Sequence, residues 1–427
     1  MSAINQTIES KLNLLPTPLR VRLPSGQVLG PQDARAEIEF LQPAALASLA
    51  RGNLGVLAAE IVAGRVEIRG AMRDLMAAVA TLVPDNGRAM RPRPLQRLRD
   101  SLGSVLHHSR RKDAQQIRFH YDISDEFYAL WLDPLRVYSC AYFRRPDMDL
   151  AQAQVAKLDH ICRKLDLRAG ERFVDIGAGW GGLLFHAAEN YGVQATGITL
   201  SQNQFDHVSR LIAQKGLGDR VTIELRDYRD LRPERPFDKL ASVGMFEHVG
   251  RANLPAYFGA VHDLLRPGGL ALNHGITLTG LDEAVVGGGL GDFIEQFIFP
   301  GGELTHVSQA IRLLSQAGLE MVDTENLRPH YARTLWAWSD GLEAQLPQAR
   351  QVLRRSGGPE RAEQRLRAFR LYLAGCALAF QQGWTSLYQI LMTRLDSENA
   401  GQGRGRLAGA MADYPFTRDH IYGPREK

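Results

Sequence analysis

Apolar positions along the chain change character three times. Near the N-terminus they come in short runs. Val21 to Leu29 predicts a hairpin turning at Ser25-Gly26, and Ala36-Glu37-Ile38-Glu39-Phe40 alternates with period two, as a half-buried strand does. Ile61 to Ile68 contains a second turn at Ala63-Gly64, and Met72 to Val83 predicts an apolar helix. Residues 1–84 therefore predict a small α+β domain in which nothing looks catalytic. Between 85 and 116 the pattern fades into a basic stretch, with Arg88, Arg91, Arg93, Arg97, Arg99, Arg110, Arg111 and Lys112 among Gly87, Pro92 and Pro94. From 117 to 427 apolar runs of strand and helix type alternate. Strands are predicted at Arg172–Ile176, Gln194–Ile198, Val221–Leu225, Lys239–Val243 and Gly269–His274, with helices starting near Gly182, Ser201, Asn253 and Ser308. Such alternation predicts an α/β unit, a parallel sheet covered by helices on both faces. Leu335 to Leu395 reads as a helical, amphipathic tail, and no internal repeat is present.

Composition narrows the class without naming it. The 427 residues are 44% hydrophobic and 23% charged, ordinary for a globular protein of two or three domains. A net charge of +4 is too slight to indicate nucleic acid. The basic stretch reads as a solvated linker or as a surface docking on anionic phospholipid. It lacks the interleaved aromatics that stack bases. No apolar stretch approaches the ~20 residues that span a bilayer, and Met1 to Gln6 do not open a secretory signal. Cys140, Cys162 and Cys376 form no CxxC pair and no zinc set. The expectation is a reduced, cytoplasmic, soluble protein.

Chemistry concentrates at the strand ends, where an open parallel sheet holds its ligand. Phe173-Val174-Asp175-Ile176-Gly177-Ala178-Gly179-Trp180-Gly181-Gly182 runs from strand to glycine turn to helix, the opening unit of a Rossmann-type nucleotide site. The second strand leads into Thr199-Leu200-Ser201-Gln202-Asn203-Gln204 without an acid, which weakens a nicotinamide ligand. The third reaches Asp227-Tyr228, an acceptor beside a flat ring suited to adenine. The fourth reaches Met245 to Gly250 and the fifth Asn273 to Ile276. Zinc on Glu247, His248 and His274 is disfavoured, and no metal is expected. Upstream, Phe119-His120-Tyr121-Asp122 and Tyr138-Ser139-Cys140-Ala141-Tyr142-Phe143 mix rings with polar groups that core packing does not explain.

With these motifs the chain resembles the cyclopropane-fatty-acyl-phospholipid synthases, S-adenosylmethionine-dependent enzymes related to the mycolic acid cyclopropane synthases. Further matches are Gly197-Ile198-Thr199-Leu200-Ser201, Phe297-Ile298-Phe299-Pro300-Gly301-Gly302 and His330-Tyr331-Ala332-Arg333-Thr334-Leu335. Together the motifs cover about residues 115 to 395. The resemblance implies a Rossmann-like class I S-adenosylmethionine methyltransferase domain behind a small N-terminal α+β domain, the latter lipid carrier-like and found in the longer bacterial members. It implies cofactor contacts at Tyr138, Ser139, Gly177, Gly179, Thr199, Leu200, Gln204 and Asp227. Tyr228 would stack on adenine, and Asp175 would hold the turn or meet the methionine amino group.

The implied reaction is transfer of the sulfonium methyl to a cis double bond, followed by proton loss to bound bicarbonate and ring closure. The bicarbonate set maps onto Cys140, Glu247, His274, Ile276 and Tyr331. Main-chain N–H groups would serve at Cys140 and Ile276, and Glu247 would accept the bicarbonate proton. Cys162 and Cys376 read as core packing. The implied substrate is an unsaturated acyl chain of a membrane phospholipid, reached by a cytoplasmic protein lying peripherally on the inner face of the membrane. A homodimer is compatible with this scheme and a nucleic-acid partner is not. Methyl- or methylene-branching relatives share the motifs, and an inactive lipid-binding scaffold is the alternative of another class.

Overall fold

The N-terminal alternation folds as a four-stranded sheet. In this computed structural model, which describes residues 8–10, 12–50, 54–82, 124–280, 293–294, 297–298, 303–395, 414–415 and 417–423, its strands are β1 (Leu19–Arg22), β2 (Val28–Leu29), β3 (Ala36–Phe40) and β4 (Val66–Gly70), ordered β2-β1-β3-β4. The expected hairpin joins β1 to β2, with Gly26 N–H donating to Leu23 O at 2.9 Å. Glu37 departs from simple alternation. It is buried on β3 because Arg22 Nε donates to its carboxylate at 2.9 Å and Arg20 stands 3.5 Å away.

Helices Leu54–Val62 and Met72–Leu82 pack on the long helical segment Leu346–Gln381, which is broken at Gly358-Pro359. One apolar cluster runs from Leu19, Val21 and Phe40 through Leu75 to Phe369 and Leu373, so the small sheet shares its core with the C-terminal helices. At the rim Arg73 pairs with Asp340 at 2.6 Å and lies 4.4 Å over the Trp336 ring. The basic segment 85–116 and the Phe119–Asp122 motif lie outside the described residues.

The larger sheet has seven strands: β5 (Arg172–Ile176), β6 (Gln194–Thr199), β7 (Val221–Leu225), β8 (Phe237–Val243), β9 (Leu265–Leu278), β10 (Leu319–Asn326) and β11 (Thr385–Arg394), ordered β10-β11-β9-β8-β5-β6-β7. The five strands from β9 to β7 are parallel, as the alternation predicts, while β11 runs antiparallel to both β9 and β10. The expected helical tail from Leu335 to Leu395 is therefore corrected at its end. Helix stops at Gln381, and Thr385-Ser386-Leu387-Tyr388-Gln389-Ile390-Leu391-Met392-Thr393-Arg394 becomes an interior strand buried on both faces. A short continuous apolar run lacks the alternation that separates strand from helix. The charged edge strand β10 was hidden for the opposite reason, since few of its residues are buried.

Chain order reverses between β5 and β8, which is where a doubly wound sheet opens a crevice. Register sets Asp175 beside Gly197 on one side and Ala241 on the other, and Val243 beside His274. The close approach of the helix between β5 and β6, Gly182–Tyr191, needs Gly197 bare. A Cβ there would stand 2.9 Å from the Ala178 methyl and press on Leu184. Gly197→Ala should lower unfolding free energy by roughly 1–3 kcal/mol in denaturant titration; an unchanged midpoint would contradict this packing.

Candidate active site

The turn after β5 places backbone, not side chains, toward the crevice. Gly177 (φ 81°) and Gly179 (φ 56°) take the left-handed conformation, and a Cβ on Gly177 would press on Met245 from the end of β8. Helix Gly182–Tyr191 starts directly behind, so its first N–H groups face the same cleft.

Opposite lies the segment Val137–Cys140, fixed from several directions. Gln154 Nε2 donates to Val137 O at 3.1 Å and Ser139 O at 2.9 Å. The Asp133 carboxylate accepts from the N–H groups of Leu135 and Val137, each at 2.9 Å. Ala141 N–H donates to Thr334 Oγ at 3.0 Å. Lys157, only 1% exposed, donates from Nζ to Ser139 Oγ at 2.7 Å.

Burial dominates the electrostatics. The Asp175 carboxyl is 3% exposed, its Oδ1 has no hydrogen-bond partner, and desolvation pushes it up to about 7 against the pull of Lys157. Desolvation likewise lowers the Lys157 ammonium to about 8, with Cys140, Asp133 and Asp175 opposing. At the end of β6, Thr199 Oγ donates to Gln204 Oε1 at 2.7 Å and accepts from Ser201 N–H at 3.2 Å. Past β7 the Asp227 carboxylate is gripped by Arg229 through its backbone N–H (2.9 Å), Nε (2.9 Å) and terminal guanidinium nitrogen (2.6 Å). The Tyr228 ring meets Tyr257 edge-on at 5.6 Å.

All ten residues expected at the cofactor line this one open cleft of about 1190 Å³: Tyr138, Ser139, Asp175, Gly177, Gly179, Thr199, Leu200, Gln204, Asp227 and Tyr228. Met245 and His248, from the fourth of the strand ends that the sequence placed at the crevice, line it too, as do Lys157 and Arg136, which were not expected there. The signal for Lys157 and for Gln154 lies in helix Leu150–Lys164, where both sit among buried Ala153, Ala156, Leu158 and Ile161. A polar side chain inside an apolar face needs a partner, and here both partners belong to the Val137–Cys140 segment.

The five residues expected at the anion lie off that cleft. Glu247 sits in the short 3₁₀ turn Phe246–His248, buried, with Oε1 accepting from Ile276 N–H at 2.7 Å while Oε2 has no partner. The expectation that the Ile276 N–H holds the anion is corrected here, because that donor is spent on the Glu247 carboxylate. Desolvation pushes its carboxyl up to about 7. His274, on β9, is fully buried and held well below the ordinary imidazole value by desolvation. Gln389 Nε2 donates to its Nδ1 at 3.2 Å, which puts the ring proton on Nε2, and Nε2 has no partner. The Cys140 thiol points toward Ala141 O (3.2 Å) and Leu327 O (3.9 Å), and burial raises it far above the thiolate range. Tyr331 packs on Phe380 (4.6 Å) and on Trp338 (6.1 Å), and Trp338 reaches Tyr138 at 5.2 Å. Rings thus connect Tyr138 in the cleft to Tyr331, one of the five anion candidates. Phe299 to Gly302 lie outside the described residues, and among the described residues no group of three His, Cys, Asp or Glu stands together as a metal site.

Comparison with known proteins identifies the family. The sequence pattern of the family described as Mycolic acid cyclopropane synthetase matches residues 108–390. A probable fatty acid methyltransferase of Pseudomonas putida is 41% identical over 425 residues, covering 96% of this chain and 98% of that protein. Cyclopropane mycolic acid synthase 1 of Mycobacterium tuberculosis is 36% identical over 281 residues, 64% of this chain and 94% of that protein. Among solved structures, mycolic acid cyclopropane synthase CmaA1 complexed with SAH and CTAB aligns at TM-score 0.61 and 35% identity, over 66% of this chain and 98% of that one. Coclaurine N-methyltransferase aligns at TM-score 0.64 with 19% identity, a likeness of fold alone. The chain belongs to the mycolic acid cyclopropane synthetase family, enzymes built on the class I S-adenosylmethionine-dependent methyltransferase fold.

Proposed function

We propose that the protein transfers the methyl group of S-adenosylmethionine to a cis double bond in the acyl chain of a membrane phospholipid, and that bicarbonate assists closure of a cyclopropane ring. The cofactor supplies an electrophilic methyl group, and bicarbonate supplies the base for the proton lost afterwards. One observation carries the bicarbonate part. Glu247 Oε2 is a buried acceptor and His274 Nε2 a buried donor, both without partners. They suit a small guest that both donates and accepts, as bicarbonate does. Ile276 N–H already fixes Glu247 through its other oxygen, leaving Oε2 to receive the proton of the guest.

An alkene is a weak nucleophile, and the cationic chain it becomes is easily trapped by water. The rings of Tyr138, Trp338, Tyr331 and Phe380 exclude water and offer π faces to positive charge. The phospholipid part is supported by the basic stretch between residues 85 and 116, which would dock on an anionic bilayer. Among the described residues no helix is long and apolar enough to cross a membrane. A methyl- or methylene-branched product is favoured instead by one finding, the match along almost the whole chain to a probable fatty acid methyltransferase.

Mass spectrometry of acyl methyl esters decides between these products. Vesicles of cis-unsaturated phospholipid, incubated with methyl-labelled S-adenosylmethionine, should yield a chain heavier by one methylene that resists mild hydrogenation, in amounts that depend on bicarbonate. A label that hydrogenation turns into a methyl branch would identify the alternative product. Glu247→Gln presents an amide donor where an acceptor is required. It should reduce turnover by at least about 100-fold while leaving S-adenosylhomocysteine affinity within a few-fold. Because burial pushes the Glu247 carboxyl up to about 7 and the group acts when ionised, wild-type turnover should fall as pH drops through about 7. The residual activity of the Gln variant should lack that acid limb; an identical limb in both proteins would remove Glu247 from the mechanism.

A further inference from the structure

Most arginines of helix Leu346–Gln381 are held by carboxylates. Arg350 and Arg354 share Glu363 at 2.5 and 3.5 Å, Arg355 meets Glu126 at 3.1 Å, Arg367 reaches Glu67 at 4.0 Å and Arg370 meets Glu343 at 2.6 Å. Arg361 and Arg365 are different: among the described residues neither has a carboxylate within 4.0 Å. They stand one turn apart on the same face of the helix, a spacing at which like charges repel. Arg361 is exposed, but Arg365 is half-buried. Desolvation and the charge of Arg361 both lower its guanidinium below the ordinary value, and only Tyr128 opposes them. A half-buried cation beside a like charge is a cost that an arriving anion removes.

The same helix face continues inward through Phe369 and Tyr372. The Phe369 ring meets Phe127 at 5.0 Å and Tyr128 at 6.3 Å, and Tyr128 meets Tyr138 at 5.5 Å and Trp180 at 6.2 Å. The Tyr138 hydroxyl donates to Tyr372 Oη at 3.3 Å. Rings therefore lead from the unpaired arginines to Tyr138 and Trp180, which both line the cofactor cleft. A helix rises about 1.5 Å per residue, so Arg365 and Tyr372 stand roughly 10 Å apart along the axis. The hydrocarbon of one bilayer leaflet is about 15 Å deep. A lipid with its phosphate at Arg365 thus has chain enough to bring an interior carbon level with Tyr138.

We infer that Arg365, with Arg361 beside it, binds the phosphodiester of the lipid whose acyl chain is alkylated, and so sets how far that chain reaches along the rings toward Tyr138. This rests on the phospholipid reading above and deepens it by giving the headgroup a place. A guanidinium suits the task because its planar fork meets two phosphate oxygens at once. The other arginines of the helix are committed to carboxylates, which leaves this pair as the one on the helix with its charge unspent among the described residues.

The test uses two lipids with the same cis-unsaturated chains, dioleoyl phosphatidylethanolamine and dioleoylglycerol, which lacks the phosphate. Both are presented in micelles of non-ionic detergent, so that neither substrate carries net charge that would draw the protein to the surface. Arg365→Gln should raise KM for the phospholipid about tenfold, as loss of one charge-assisted hydrogen bond predicts, with kcat within about twofold. Its KM for dioleoylglycerol should stay within about twofold of wild type, which also reports an intact fold. Arg365→Lys, which keeps the charge without the fork, should recover part of the loss. Wild type should itself prefer the phospholipid by KM, and the Gln variant should barely distinguish the two lipids. Equal KM for both lipids in wild type, or a rise of the same size for both in Arg365→Gln, would overturn the inference. Inorganic phosphate that inhibits dioleoylglycerol turnover in wild type but not in the variant would identify a free-phosphate site and overturn the lipid assignment. Turnover of dioleoylglycerol without any turnover of the phospholipid would instead overturn the phospholipid reading of the function.

Discussion

Two carboxyl groups buried without full partners, Asp175 at the end of β5 and Glu247 past the end of β8, set the terms for the rest of the molecule. Each is pushed to about 7 by desolvation, so neither is comfortable in its ionised form until something else arrives. Folding such groups costs stability, which must come from packing elsewhere. The continuous core from the N-terminal sheet to the C-terminal helices and the interior strand β11 supply it. A strained site on a well-packed scaffold is the usual compromise between stability and activity.

Precision comes from how the cleft walls are held. Helix Leu150–Lys164 presents Gln154 and Lys157 to the Val137–Cys140 segment. Its other side is locked by a charged network. Arg163 and Arg144 meet Asp159 at 2.7 and 2.9 Å, Tyr191 donates to the same carboxylate at 2.8 Å, and Lys164 meets Glu325 at 2.6 Å. Chain from near the C-terminus closes over that side, with Tyr414 donating to Lys164 O at 3.1 Å and Arg163 to Gly423 O at 2.6 Å. A lysine whose ammonium must stay buried needs its helix held from behind, and these contacts do that. Tyr138 stands at the boundary between two environments, the polar cleft and the ring system reaching Tyr331.

How much could be read from the amino-acid order follows from how local each signal is. The strand, glycine turn and helix around Asp175 to Gly182 were legible because backbone geometry demands those residues at those positions. The strand ends at Thr199, Asp227, Glu247 and His274 were legible because a parallel sheet brings its carboxyl ends together. β11 was not, since burial on both faces erases the period of two. Lys157 was not, because Ser139, to which it donates, lies 18 positions away and only the fold joins them. Gln389, which orients His274, escaped for the same reason, as it sits on the strand that was mistaken for helix.

Proton release on ligand binding tests most directly whether the buried carboxyl of Asp175 waits for a cation. S-adenosylhomocysteine would be titrated into the protein at pH 6.5 by calorimetry, in buffers of different ionisation enthalpy. At that pH Lys157 is already charged while Asp175 is largely protonated, so an ammonium arriving at Asp175 should expel a substantial fraction of one proton. The account predicts a binding heat that varies with the buffer in wild type and does not vary in Asp175→Asn. The same heat in every buffer for wild type would contradict it.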